Sequence, residues 1–190
     1  MYKVENNVTK DLEHIILNCS KCDICNYEIN VKYGKMLPHG NMGKVMIVGQ
    51  NPSYYRQASG TLVGYALGPS TKQYSPDWFL WKVIEESNMP QNKLYFTNVL
   101  KCSTPENREP TKDEIDNCLN TFLLQELAII KPYIIIALGV NAFNYLSNSK
   151  EKFPRINIVQ VFHHSYISRK HDKYDEWLLQ WKNIKSEFGI

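Results

Sequence analysis

The chain has 190 residues, of which 43% are hydrophobic and 22% are charged, and its formal net charge is +3 at pH 7. These are the values of an ordinary soluble globular protein, and the length predicts one domain spanning residues 1–190. No apolar run approaches the roughly 20 residues of a membrane span, and the N-terminus lacks the pattern of a signal peptide. We therefore expect a cytoplasmic protein without a membrane partner; the small net charge does not by itself predict nucleic-acid binding.

Strands and helices are predicted to alternate along the chain. Apolar runs predict four buried strands at residues 45–48, 94–99, 133–139 and 156–162. Apolar residues at helical spacing predict helices over residues 9–20, 77–88, 111–130, 141–146 and 174–187. Thr111 and Glu114 form a capping box at the start of the third helix. This alternation indicates an α/β fold with a parallel sheet covered on both faces.

Polar side chains follow three of the four predicted strands. Gln50 and Asn51 come after the first strand, Asn98 ends the second, and His163 and His164 follow the last. Taken one by one, Asn51 could shape a turn and the two histidines could cap the next element. Because the carboxyl ends of parallel strands lie on one edge of a sheet, however, these residues are expected to line a single crevice.

Five cysteines, clustered as three plus two, suggest metal or cluster ligation over disulfides in a chain without an export signal. Cys22 and Cys25 are separated by two residues, and Cys102 and Cys118 by fifteen. Four thiolates bind either zinc or a four-iron cluster, and the spacing does not separate the two; unligated buried thiols are the third alternative. Cys19 is predicted on the apolar face of the first helix, so the site is assigned to the other four cysteines.

Several motifs occur in a specific order in this chain. They are residues 45–53, 97–102 and 105–110, Cys118, the pair Leu138-Gly139 with Ala142, and the pair Phe162-His163. In these motifs, from Cys22 to about Arg169, the chain resembles the iron–sulfur (family 4 type) uracil-DNA glycosylases. The resemblance implies a three-layer α/β/α sandwich with a central four-stranded parallel sheet. It also implies a 4Fe–4S cluster rather than zinc, and removal of uracil from single- or double-stranded DNA. We expect a monomer.

The resemblance further implies roles for individual residues. The loop that positions the sugar and the attacking water matches Gly49, Gln50, Asn51, Pro52 and Ser53, with Gln50 and Asn51 as catalytic candidates. Asn98 matches the residue that reads the flipped base, and His163 matches the catalytic histidine. The remaining DNA contacts are expected from Asn107, Arg108, His164, Ser165, Tyr166, Arg169 and Lys170, with Tyr166 or Ile167 as a wedge. The cluster, held by Cys22, Cys25, Cys102 and Cys118, is implied to be structural.

The chain departs from the family pattern at four places. Gln50 replaces an acidic residue, Leu62 occupies the place of an aromatic residue that stacks on the base, and His164 replaces a proline. Residues 65–74 form a long insertion. An amide cannot accept a proton from water, so slower turnover is the hypothesis. The changes also leave two alternatives open: excision of a modified or hypermodified pyrimidine, for example from viral DNA, and an inactive relative that binds DNA.

Overall fold

The computed structural model describes residues 10–60 and 64–190. Its centre is a five-stranded sheet in the order β1-β3-β2-β4-β5. The strands are β1 His39–Gly40, β2 Val45–Gly49, β3 Leu94–Asn98, β4 Ile134–Leu138 and β5 Asn157–Val161. Strands β2 to β5 are parallel, as predicted, and β1 adds a short antiparallel edge beside β3 that was not predicted. The predicted fold class is confirmed.

The three inner strands are buried on both faces. Every residue of β2, β3 and β4 is buried, whereas β5, at the edge, is partly exposed. A strand covered by helices on both sides needs apolar residues at consecutive positions, which explains the unbroken apolar run of β4. Alternate side chains of one strand therefore enter opposite halves of the core, as Met46 and Ile47 do.

Helices cover the two faces of the sheet. They are α1 Lys10–Leu17, α2 Glu28–Tyr33, α3 Tyr54–Ala58, α4 Pro76–Glu86, α5 Lys112–Cys118, α6 Leu124–Ile130, α7 Val140–Asn148, α8 His164–Ile167 and α9 Tyr174–Phe188. The core on one face is formed with α1, α5, α6 and α7, and the core on the other with α4, α8 and α9. The result is a three-layer α/β/α arrangement. None of the helices in residues 10–60 and 64–190 is long and apolar enough to cross a membrane.

The helices differ from the prediction in three respects. The helix expected over residues 111–130 contains a π-helical turn, Leu119–Leu123, between α5 and α6. The short helices α2, α3 and α8 were not predicted, because fewer than two turns give no readable periodicity. Helix α1 ends at Leu17. The prediction that Cys19 lies on the apolar face of this helix is therefore wrong.

Candidate active site

A pocket of about 450 Å³ lies at the carboxyl edge of the sheet. It is formed by the segments after β2, β3 and β5, together with the N-terminal ends of α4 and α7. The predicted site residues that line it are Gly49, Gln50, Asn51, Pro52, Ser53, Asn98, Asn107, His163, His164, Ser165 and Arg169. The structure thus brings the three predicted strand ends together in one crevice, as the parallel topology requires.

Asn98 is held at the end of β3 by its neighbours on both sides. The β2–β3 register places it opposite Gly49, where a Cβ atom would lie 2.4 Å from Asn98 Oδ1. Only glycine leaves room for the carboxamide at this point. On the other side, Lys101 Nζ donates a 2.7 Å hydrogen bond to the backbone oxygen of Asn98 and another of 2.7 Å to Thr97 Oγ1.

His163 is held as one tautomer. Its Nδ1 accepts a 3.1 Å hydrogen bond from the backbone N–H of Ser165, and the Ser165 hydroxyl lies 2.6 Å from the same atom. A backbone N–H can only donate, so Nδ1 carries no proton and Nε2 does. Burial, followed by the neighbouring His164, lowers the pKa of His163 well below its ordinary value. The ring therefore presents a neutral N–H donor.

A buried ionic group lies behind His163. Asp77, at the start of α4, is 3% exposed, and its carboxylate oxygens lie 2.6 Å from Arg56 Nη2 and 3.4 Å from His164 Nε2. Burial alone would raise the pKa of Asp77, but the neighbouring His164 and Arg56 lower it to about 2. The His164 ring stacks on His163 at 4.3 Å between centroids. Arg56 and Asp77 also line the pocket, and neither was predicted as a site residue.

A second polar group, also missed by the sequence reasoning, faces the loop after β2. Asn141 Nδ2 lies 3.1 Å from Gln50 Oε1 and 3.2 Å from Glu109 Oε2, and the Tyr145 hydroxyl donates to Glu109 Oε1. Both Asn141 and Glu109 line the pocket. Asn141 comes three residues after the end of β4, so a search for polar residues after this strand, as after the other three, would have found it. Nothing in the sequence around Glu109 indicates that it reaches the pocket.

Asn51 is oriented by its own loop and by the segment after β3. Its Nδ2 donates to the backbone oxygen of Pro52 at 3.0 Å and to Thr104 Oγ1 at 3.4 Å. With the amide nitrogen directed at the protein, Oδ1 is the atom of Asn51 suited to accept a hydrogen bond from a water.

The structure places the predicted DNA-binding residues unequally. Asn107 and Arg169 line the pocket, whereas Lys170 is exposed outside it. The guanidinium of Arg108 forms a bidentate ion pair with Glu114, at 2.9 and 2.5 Å, which anchors the loop to α5. Their contacts with DNA stay predictions.

The structure excludes one of the two candidates for the wedge, and the role of Tyr166 stays a prediction. Ile167 is 0% exposed and packs in the core, so it cannot enter a duplex, and that part of the prediction is wrong. Tyr166 is half-buried with its ring 5.5 Å from that of Phe162. Leu62, the predicted base-stacking residue, lies outside the described residues. Ala66 and Leu67, which like Leu62 lie between α3 and α4, are apolar residues of the pocket wall.

The five cysteines lie together beneath the loop after β3. Cys25 Sγ lies 3.9 Å from Cys19 Sγ and 4.0 Å from Cys102 Sγ. Cys22 accepts a 3.4 Å hydrogen bond from Asn117 Nδ2, and Cys118 is buried in the same apolar cluster. Cys19 is therefore not separated from the other thiols.

The protonation of these thiols follows their contacts. The Cys102 thiol hydrogen bond lowers the pKa of Cys25 to about 5, whereas burial raises the pKa of Cys118 to about 12. Within the described ranges, no three His, Cys, Asp or Glu side chains are arranged to hold a metal ion. The donor set itself, several thiols in apolar surroundings, fits an iron–sulfur cluster or zinc.

Comparisons with known proteins show the family of the chain. The sequence model of the Uracil DNA glycosylase superfamily matches residues 38–185. The Type-4 uracil-DNA glycosylase of Pyrobaculum aerophilum is 33% identical over 130 residues, which are 68% of this chain and 59% of that protein. The Sulfurisphaera tokodaii protein of the same name is 28% identical (83% and 66% covered), and the Thermotoga maritima protein is 27% identical (83% of both). The chain thus spans less than two thirds of the first two relatives.

Proposed function

Because the chain belongs to the Uracil DNA glycosylase superfamily, we propose that it is a DNA glycosylase that hydrolyses the N-glycosidic bond of uracil in DNA and leaves an abasic site. The observation that carries the proposal is the meeting of Asn98 and His163 in one pocket at the carboxyl edge of the sheet, where His163 keeps its proton on Nε2 as a fixed donor. In this proposal the chain acts as one domain and a monomer. No observation favours the modified-pyrimidine or inactive alternatives, and the relatives are named for uracil.

Asn98 is proposed to read the base. A base stacked inside a duplex is out of reach, so the target nucleotide must be extruded or presented in a single strand. The Asn98 carboxamide offers one acceptor oxygen and one donor nitrogen, which pair with the N–H and the carbonyl oxygen on the edge of uracil. Cytosine presents the opposite order of donor and acceptor at this edge, so an Asn98 amide in the orientation that pairs with uracil is mismatched with it.

His163 is proposed to stabilise the departing base. Cleavage leaves negative charge on the base oxygen and positive charge on the sugar. A neutral imidazole with its proton on Nε2 donates to that oxygen, and one such pre-positioned donor typically contributes about 3 kcal/mol. Since the leaving group is stabilised in this way, a water held by Asn51 is a sufficient nucleophile, and no covalent intermediate is required.

A 4Fe–4S cluster is proposed as the cofactor, held by Cys102, Cys118 and two of the three thiols Cys19, Cys22 and Cys25, since Cys19 lies 3.9 Å from Cys25. When bound, such a cluster would join the two cysteine segments covalently and thereby brace the loop that carries Asn107. The hydrolysis itself is assigned to the protein side chains around the pocket. Binding of the cluster is read directly from the brown colour and the iron content of the anaerobically purified protein, independently of activity.

The test is release of free uracil from single-stranded DNA that contains uracil. We expect Asn98→Ala and His163→Ala each to lower kcat/KM by about 10²-fold or more, as the loss of a pre-positioned donor does. Asn144→Ala, on the exposed side of α7, is the matched control and should retain wild-type activity. A folded, brown wild-type protein that releases no uracil, or variants as active as the control, would contradict the proposal.

A further inference from the structure

The residues assigned so far leave the hydrolysis without a proton acceptor. Gln50 and Asn51 end in amides, which orient a water but do not take its proton. Asp77 lines the pocket, but it is buried between Arg56 and His164, and these partners lower its pKa to about 2, which makes it a weak base. Among the pocket-lining residues that the structure describes, Glu109 is the remaining carboxylate.

The surroundings of Glu109 differ from those of Asp77 in exposure and in charge. Glu109 is exposed to solvent, and its side chain accepts hydrogen bonds from the neutral donors Asn141 and Tyr145. The adjacent Arg108 directs its guanidinium to Glu114. A carboxylate that accepts neutral hydrogen bonds, and is not closed off by a cation, keeps a lone pair with which to take a proton.

Glu109 and Gln50 contact the same side chain in the pocket. One amide nitrogen, Asn141 Nδ2, contacts both Gln50 Oε1 at 3.1 Å and Glu109 Oε2 at 3.2 Å. The two side chains therefore meet at one point of the pocket, although they come from different loops. Gln50 replaces an acidic residue of the family pattern, and the carboxylate of Glu109 lies beside this position.

We propose that Glu109 is the general base of the reaction, an inference that rests on the proposed glycosylase function. Its carboxylate takes one proton from the attacking water while the water oxygen forms a bond to C1′ of the deoxyribose. The bond from C1′ to the base breaks, and its electron pair stays on the base, where the oxygen accepts the hydrogen bond from His163 Nε2. Asn141 and Tyr145 are positioning residues that direct the carboxylate.

The experiment compares four proteins on single-stranded uracil DNA: wild type, Glu109→Gln, the double variant Glu109→Gln/Gln50→Glu, and Glu106→Gln. Glutamine at position 109 can accept from Asn141 through its oxygen and donate to the Tyr145 hydroxyl through its nitrogen, so thermal stability should stay unchanged. We expect Glu109→Gln to lower kcat by about 10²-fold without raising KM, the usual size of a general-base effect. Returning a carboxylate at position 50 should restore at least tenfold of this loss. Glu106→Gln, which removes an exposed carboxylate outside the pocket lining, is the control for net charge.

Each outcome decides between the readings. If Glu109→Gln keeps kcat within twofold of wild type, Glu109 is not the base. If its activity falls through a raised KM, or is not restored by the second carboxylate, Glu109 is an anchor of its loop and the inference is wrong. A wild-type protein that releases no uracil refutes the proposed function itself, which is a distinguishable result.

Discussion

Lys101 is a fully buried cation beside the strand end that carries Asn98, and replacing it by methionine tests how the site is held. Its Nζ lies 2.5 Å from Glu126 Oε1, with the two side chains 1% and 0% exposed. The same atom donates to Thr97 Oγ1 and to the backbone oxygen of Asn98. Methionine retains most of the volume of lysine, so the change removes chiefly the charge and these hydrogen bonds.

The expected cost follows from the group left behind. In Lys101→Met the Glu126 carboxylate stays buried, with the Tyr95 hydroxyl at 3.2 Å as its hydrogen-bond partner. Removing one member of a buried ion pair typically costs about 3–5 kcal/mol. For a chain of this size that corresponds to a fall in Tm of about 10 °C. In Lys101→Met/Glu126→Gln the unpaired charge is absent, so most of the stability should return.

Activity should not return with stability. In the double variant the backbone oxygen of Asn98 still lacks the donor from Lys101, so the base-reading side chain is less well fixed and uracil release should stay at least tenfold below wild type. A displacement of the order of 1 Å in such a group costs up to about 10²-fold in rate.

The assay combines thermal unfolding followed by circular dichroism with uracil release, on proteins purified anaerobically. Lys112→Met is the matched control, since it removes an exposed pair with Asp116 (88% and 39% exposed) that contributes little to stability. A Tm of Lys101→Met within 2 °C of that control, taking about 2–4 °C per kcal/mol, would refute the argument from the buried charge. Full activity in the double variant would refute the positioning of Asn98 by Lys101.

Two further perturbations test the site and the pH dependence. Gly49→Ala places a Cβ 2.4 Å from Asn98 Oδ1 and should lower kcat about 10²-fold. The control is Gly68→Ala, whose added Cβ would lie 3.9 Å from the nearest atom and should leave kcat unchanged. Equal activities of the two variants would contradict this prediction. Burial lowers the pKa of His39 to about 4 in the folded protein. As the pH falls below about 6.5, only the unfolded chain gains this proton, so the free energy of unfolding should drop by about 2 kcal/mol between pH 7 and 5. Urea unfolding of His39→Gln should show a smaller drop, and an identical drop would exclude His39 as the cause.

The parts of the fold that could be predicted are those with a long, regular pattern. Four parallel strands follow from unbroken apolar runs, and the meeting of Asn98 with His163 follows from the topology, because every parallel strand ends on the same edge. The capping box of Thr111 and Glu114 is local and is present as predicted. Helix α8 could not be predicted, because its four residues are fewer than any periodic pattern needs.

The parts that could not be predicted depend on contacts between distant segments. Arg56 and Asp77 are 21 residues apart, and Glu109 and Asn141 are 32 apart, so no local spacing relates either pair. The position of Cys19 was wrong for a related reason: helical spacing continued past Leu17, but the chain leaves the helix there and turns toward Cys25. A periodic pattern indicates which face is apolar and does not indicate where the helix ends.

The structure also changes the expectation about rate. From the sequence, an amide at position 50 predicts slow turnover, because the acid of the family motif is missing. In the folded chain the Asn141 side chain joins Gln50 to Glu109, so that the amide and a carboxylate share one hydrogen-bonding group. A carboxylate at both positions would place two negative charges around that one amide, and their repulsion would keep one of the two carboxyl groups protonated to a higher pH. Glutamine at position 50 is therefore the residue compatible with a base at position 109, and the departure from the motif is a relocation of the acid rather than its loss.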